Sequence, residues 1–332
     1  MGPKEEFSRI RTGIIGVGSM GQNHARVYSE ISNFIAVADP VEAQGRKVAE
    51  RFDVAWHEDY HEMLSEVDAV TIAVPTALHC EVAKAVAAAG VHLLVEKPLA
   101  GNMADAEAIV VAAESAGVTL AVGHVERHNA IVENAKMCID NGDWGQILTL
   151  SAKRFSNYPS RIHDVGVLFD LTIHDADVIR YLANSDVRTV YAAGGKSKNE
   201  RYEDYVNLVM GFEDGKIGIC ETNWLTPMKV RKLSITTTTC HINLNYLNQE
   251  IKIFSSHFGE INESDLYQPS MEVSEKKISL TKKEPLKNEL IDFLTSISEK
   301  REPLVSGIDG LRSLKIIEAG LLSLERKQVI SL

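Results

Sequence analysis

Lys97 closes an apolar run, "VHLLVEKPLA" at 91–100, with Glu96 before it and Pro98 after it. An amine in such a place can take the proton of an alcohol or, protonated, hold the alkoxide that forms. Asp170 and His174 stand four apart in "GVLFDLTIHDAD", residues 166–177. On a helix that spacing puts both on one face, where the carboxylate can orient the imidazole or bind a sugar hydroxyl. Nearer the N-terminus, "GVGSMG" runs from Gly16 through Gly18, Ser19 and Met20 to Gly21, and Asp39 follows 18 residues later. Those glycines allow a tight turn and a close approach of backbone to a pyrophosphate, whose charge rests on the amides of the next helix. Asp39 can accept from both ribose hydroxyls of NAD and would repel the 2′-phosphate of NADP. NAD is the expected cofactor. Oxidation of a secondary alcohol then needs a base within hydrogen-bond reach of the oxygen, and the residue types leave open whether Lys97 or His174 is that base. Structural roles stand beside these: a solvated lysine at a strand end, an aspartate capping a helix beside a satisfied histidine, a plain strand-to-helix turn with a surface aspartate.

The elements that position these residues are legible in the apolar pattern. Short, nearly continuous Val- and Ile-rich runs at 12–17, 34–39, 69–75, 92–97 and 118–123 read as strands, and the stretches 77–90 and 103–117 have helical spacing and stop at glycines. Strands apolar on both faces and joined by helices imply a parallel sheet covered on both sides, a doubly wound α/β domain over residues 1–125. Ligands of such a sheet collect outside the carboxyl ends of its strands, which is where Glu96, Lys97 and Pro98, and also Pro75, Thr76 and His79, lie. The paired charge at 96–97 therefore belongs at a cleft edge.

From residue 126 to 332 the texture is α+β on a largely antiparallel open sheet. Runs at 145–155, 187–197, 205–224, 232–247 and 250–254 read as strands, "EDGK" at 213–216 as a hairpin turn, and "TTTT" at 236–239 as strand. Helices are expected over 173–182 and over 286–324, with an interruption at 303–310. The C-terminal helix is expected to pack back on the first domain.

Composition excludes several classes. Hydrophobic residues make up 45% and charged residues 24% of 332, the balance of a soluble globular chain. No run approaches the ~20 apolar residues of a membrane helix, and "MGPKEEFSRI" is charged where a signal peptide is apolar, so a cytoplasmic location is expected. A net charge of -11 argues against nucleic acid as partner and for a small molecule. Cys80, Cys138, Cys220 and Cys240 show no C-x-x-C pairing and read as reduced thiols. "HEDYH" at 57–61 matches H-E-x-x-H, but Asp59 reads as the cap of a following helix, and no metal is expected.

The "GVGSMG" loop, "AGVHLLVEKP" at 89–98 and the G-x-x-x-D-x-x-x-H pattern at 166–174, taken together, resemble the glucose-fructose oxidoreductase/inositol dehydrogenase (Gfo/Idh/MocA) family, and the resemblance extends over "PLVSGIDGLRSLKIIEAGLLS" near the C-terminus. It implies an N-terminal Rossmann domain and an NAD-dependent dehydrogenase in which Lys97, Asp170 and His174 meet the reacting hydroxyl. It also implies that Gly16, Gly18, Ser19, Met20, Gly21, Asp39, Pro75, Thr76, His79, Glu96 and Lys97 hold the cofactor, with Glu96 and His79 near its ribose. "GHVERHNAIV" (123–132) and "YPSRIHDVGVLFDLTIHD" (158–175) are similar to sugar-nucleotide 3-dehydrogenases acting on UDP-N-acetylglucosamine or its uronic acid. Arg154, Arg161 and His163 would then meet a substrate diphosphate, alongside Asp170 and His174, since arginine forks suit phosphate; a salt-bridged surface is the alternative for the first three. A dehydrogenase of free sugars or inositol, and a non-catalytic NAD sensor, are the alternatives. A homo-oligomer, dimer or tetramer, is expected from a broad sheet with one open face.

Overall fold

The computed structural model describes residues 3–159, 165–198, 200–258 and 271–332. The chain forms two compact units, Met1–His128 with Lys283–Lys315, and Asn129–Lys282 with Ile316–Leu332.

In the first unit, β1 (Phe7–Ile15), β2 (Ser32–Ala38), β3 (Ala55–His57), β4 (Ala69–Ile72), β5 (His92–Glu96) and β6 (Leu120–Gly123) form one sheet in the order β3-β2-β1-β4-β5-β6. Every pairing is parallel. Strands β4 and β6 are buried at every position, which explains their unbroken apolar sequence. The order reverses between β1 and β4, so the loops after those two strands open the crevice where ligands of such sheets bind. Helix Met103–Ala116 begins on an Asn102 cap and stops at Gly117, whose φ of 67° suits a residue without a Cβ. Helix Pro285–Glu299 supplies Leu290, Phe293 and Leu294 to the core that holds Phe7, Ile14, Val27, Tyr28 and Ile31. The first unit thus runs past residue 125 to His128 and takes back 283–315 from the far end of the chain.

The second unit holds β7 (Ile147–Asn157), β8 (Val187–Gly195), β9 (Tyr205–Phe212), β10 (Ile217–Asn223), β11 (Leu225–Thr237), β12 (His241–Asn245), β13 (Glu250–Phe258), β14 (Met271–Ser279) and β15 (Ile330–Ser331). Their order is β14-β13-β12-β11-β7-β10-β9-β8-β15. Only β7 with β10 is a parallel pair; the other pairings are antiparallel. Helix Ile173–Ala183 lays Ile173, Val178, Ile179 and Leu182 onto one face, in a core with Leu150, Ala152, Leu208 and Cys220. Alternation along the strands leaves Tyr191, Tyr205, Val209 and Ile217 exposed on the other face. The turn at 213–216 forms as expected, with Gly215 at φ 88°. "TTTT" does not form one strand: β11 ends at Thr237, and Thr237 N–H bonds the carbonyl of Cys240 to turn the chain into β12. The four cysteines are free thiols. Among the described residues no helix is long and apolar enough to cross a membrane.

Candidate active site

The glycine loop is shaped by contacts that only glycine permits. Gly16 has φ 89°, and a Cβ there would come 2.8 Å from the Val74 nitrogen. On Gly21 a Cβ would fall 1.9 Å from the Gly16 carbonyl oxygen, so helix Ser19–Ile31 packs its first turn directly on the loop. Gly18, the N-cap, has nothing within 4 Å of where its Cβ would be. Two glycines close the turn and the third leaves open space before the helix amides, the arrangement that admits a pyrophosphate. Asp39 sits at the end of β2 with its carboxylate accepting from Val17 N–H at 2.8 Å and Val41 N–H at 2.9 Å. It is held beside the loop, with lone pairs left for further donors. The residues present therefore fit a dinucleotide.

Lys97 is half-buried at the carboxyl end of β5. Its backbone N–H donates to one oxygen of Glu96 at 3.1 Å, and the other oxygen of Glu96 meets His24 Nε2 at 2.8 Å. Burial alone would raise the Glu96 carboxyl; the hydrogen bond and charge of His24 and the charge of Lys97 outweigh it and hold the group below the ordinary carboxylate range. Glu96 is thus an internal anchor for the chain at 97, through a partner on helix Ser19–Ile31 that sequence reading did not single out. His79 is likewise turned inward. Only 1% exposed, it meets the Pro98 carbonyl at 2.9 Å through Nδ1 and the Val74 carbonyl at 3.0 Å through Nε2. Burial pushes its pKa down, against those hydrogen bonds and Glu96. The imidazole ties the loop after β4 to the loop after β5. Pro75 and Thr76 open the short turn Thr76–Leu78 that precedes His79.

Glu289 lies behind this cluster, on helix Pro285–Glu299. It is 2% exposed, and neither carboxylate oxygen meets a hydrogen-bond partner among the described residues. Burial first, then the charges of Glu96 and Asp292, push its pKa well above 4.5. An acid that holds its proton more tightly folded than unfolded contributes full stability below its unfolded pKa and loses it as pH rises toward its folded pKa. Glu289→Gln keeps the neutral shape at every pH. Its melting temperature should match wild type near pH 4.5 and exceed it by something on the order of a few °C at pH 8. A calorimetric gap independent of pH would mean that Glu289 is ionised in the folded protein.

In the second unit a π-helical turn, Leu168–Thr172, feeds directly into helix Ile173–Ala183, and Asp170 and His174 fall on either side of the junction. Such widened turns recur at functional sites, because they re-aim side chains that a regular helix would place elsewhere. Both residues are half-buried among neighbours that are mostly fully buried. Gly166 owes its identity to Glu203: a Cβ there would fall 2.0 Å from the Glu203 carboxylate, whose Oε1 accepts from Leu168 N–H at 3.1 Å. Burial raises the Glu203 pKa. Glu203, 37 residues beyond the glycine of the G-x-x-x-D-x-x-x-H pattern, therefore anchors the turn that presents Asp170.

Arg154 is 2% exposed and forks onto Asp175, Nε to Oδ2 and Nη2 to Oδ1, each at 2.9 Å. Its guanidinium locks β7 to the helix carrying His174. It also lines a cavity of about 400 Å³ with Asp170, Asn157, Trp224, Lys229 and Arg231. That volume falls within the range of about 300–1,000 Å³ typical of small-molecule sites. Arg161 and His163 lie outside the described residues. A larger cavity, about 550 Å³, opens in the first unit beside His92 and Leu120, at the amino ends of β5 and β6, and none of the expected site residues line it. The H-E-x-x-H stretch divides between elements: His57 ends β3, and only His61 is helical, with its N–H donating to the Asp59 cap at 3.0 Å. The two imidazoles do not share a helical face.

The profile of an oxidoreductase family with an NAD-binding Rossmann fold (GFO_IDH_MocA) matches residues 10–124, and that of the GFO/IDH/MocA C-terminal domain matches residues 132–243. A UDP-N-acetylglucosamine 3-dehydrogenase of Acidithiobacillus ferrooxidans is 29% identical over 92% of this chain and 94% of its own. A myo-inositol 2-dehydrogenase of Thermotoga maritima is 26% identical over 97% and 98%. A solved structure of UDP-N-acetylglucosamine 3-dehydrogenase from Acidithiobacillus ferrooxidans superposes with a TM-score of 0.85 at 26% identity, covering 96% of this chain and 98% of that one.

Proposed function

The chain belongs to the GFO/IDH/MocA family of NAD-dependent oxidoreductases, and on that premise we propose that it oxidises a ring hydroxyl to a ketone, at C3 of a UDP-linked N-acetylhexosamine, UDP-N-acetylglucosamine or its uronic acid. The likeness to a UDP-N-acetylglucosamine 3-dehydrogenase over 92% of the chain carries the substrate. The reaction type is supported by the residues themselves. NAD, when bound, supplies the hydride acceptor. Gly16, Gly18, Ser19, Met20 and Gly21 hold its pyrophosphate in this reading, and Asp39 accepts from its ribose. Lys97 or His174 takes the hydroxyl proton, and Asp170 orients the imidazole or the substrate. Retention of three such groups is needless in a protein that only senses NAD. The open sheet face bearing Tyr191, Tyr205, Val209 and Ile217 supports the homo-oligomer expected from the sequence.

Absorbance of NADH should rise when NAD-saturated protein meets UDP-N-acetylglucosamine or its uronic acid, and stay flat with glucose or myo-inositol. Turnover of the neutral compounds alone would replace this reading with the second one, an inositol or free-sugar dehydrogenase, which the 26% identity to a myo-inositol 2-dehydrogenase favours.

A further inference from the structure

His79 makes a set of contacts that a neutral imidazole cannot satisfy. Its Nδ1 meets the Pro98 carbonyl at 2.9 Å, with the Leu99 carbonyl at 3.3 Å, and its Nε2 meets the Val74 carbonyl at 3.0 Å. Carbonyl oxygens only accept, and a neutral imidazole carries one N–H, so one ring nitrogen would set its lone pair against that of an oxygen. An imidazolium donates from both. Burial opposes the charge, for the ring is 1% exposed. Glu96 on β5 supplies the counter-charge: its carboxylate favours the ring proton, as do all three carbonyls. His24 and Lys97 in turn keep Glu96 ionised. Of the other elements packed on helix His79–Ala88, helix Met103–Ala116 brings Asp105, whose charge acts on the neighbouring Cys80. Strand β4 and the turn Thr76–Leu78 carry no titratable side chain. The two carbonyls belong to different parts of the crevice. Val74 follows β4, and its backbone nitrogen would lie 2.8 Å from a Cβ on Gly16, so the glycine turn rests directly on this loop. Pro98 follows Lys97, whose own N–H is tied to Glu96.

We propose that His79 is a positioning residue that works as an imidazolium, donating to Val74 and Pro98 at once and so clasping the loops after β4 and β5 into one wall of the cofactor crevice. The proposal rests on the reading above, in which the glycine turn holds the pyrophosphate and Lys97 stands at the nicotinamide. When the ring loses its proton, one of the two carbonyls faces a lone pair and that contact opens. The glycine turn and Lys97 are then no longer fixed to each other. Binding of the dinucleotide needs both loops in place, so it is coupled to one proton. The sign follows: the clasp is complete at pH below the titration of the ring and loosens as pH rises through it.

The test uses full-length protein, labelled with 15N-histidine and saturated with NADH. Loss of one signal in His79→Gln assigns the ring; contacts of its protons to Pro98 assign it should that variant not fold. The NADH complex should show both nitrogens of His79 protonated within the range of about pH 5.5 to 7.5, where histidines ordinarily titrate. A ring with one protonated nitrogen throughout that range overturns the proposal. Glu96→Gln should move the titration to lower pH by about one unit, and an unmoved titration would remove the counter-charge that makes a buried cation tenable. NADH affinity of the wild type should fall about tenfold as pH rises through the titration of the ring, the worth of one charge-assisted hydrogen bond. In His79→Gln, whose amide donates at any pH, that step should vanish. A step that persists in the variant belongs to another group, and with a doubly protonated ring it would make His79 a contact of the fold alone and overturn its role at the crevice. Every readout needs only NADH, so a failure to oxidise nucleotide sugars, or of Lys97 as base, leaves the test standing.

Discussion

Lys97→Met should lower turnover by about 10²–10⁴-fold while NAD binding stays essentially unchanged. Methionine has nearly the length of lysine and no proton to give or take. The features that place residue 97 remain in the variant, because Glu96 receives its hydrogen bond from the backbone N–H and its other oxygen from His24. The glycine loop and Asp39 are not touched by the change. NADH production and titration of NAD by calorimetry measure the two halves of the prediction separately. Turnover close to wild type would remove Lys97 from the chemistry. Lys97→Arg separates the two roles left open by the sequence. A guanidinium stays charged at any working pH, so it can hold an alkoxide but cannot act as base. Partial activity in Arg with none in Met assigns the proton to His174; equal loss in both assigns it to Lys97.

Arg154→Met should destabilise the protein by about 3–5 kcal/mol, since it leaves the Asp175 carboxylate buried without its partner. Both side chains are nearly sealed, 3% and 2% exposed, so solvent cannot take over the lost interaction. The fork joins β7 to the helix bearing His174, and kcat should fall with stability. Adding Asp175→Asn should recover much of the loss by removing the stranded charge. Denaturant unfolding of the two variants checks both statements. A different result would restore the role first expected of Arg154: a phosphate-binding arginine would raise KM for a nucleotide sugar and leave the unfolding midpoint where it was.

The parts of this protein that could be read from its sequence are those whose physics is local. The turn at Gly16–Gly21 declares itself because only glycine tolerates φ 89° at 16 and contact with the Gly16 carbonyl at 21. Buried parallel strands declare themselves by having no polar face, and Lys97 stands out because a charge follows such a strand. The spacing of Asp170 and His174 shows that a regular helix would carry both on one face, although the π turn that holds Asp170 leaves no mark in the sequence. The threonine run at 236–239 misleads for the opposite reason: β-branched residues favour strand locally, but the pairing of β11 with β12 requires a turn within it.

Partners and environment are decided only by the tertiary fold. Glu96 meets a histidine 72 positions earlier, the Gly166 turn rests on a glutamate 37 positions later, and nothing in either neighbourhood announces the other. By its type Arg154 could meet a phosphate or sit in a salt bridge, and only the fold supplies Asp175 as its partner. Sequence fixes which groups a chain carries and what backbone geometry each tolerates. What a charged group does depends on which charges and how much water surround it, and long-range strand pairing and helix packing set both.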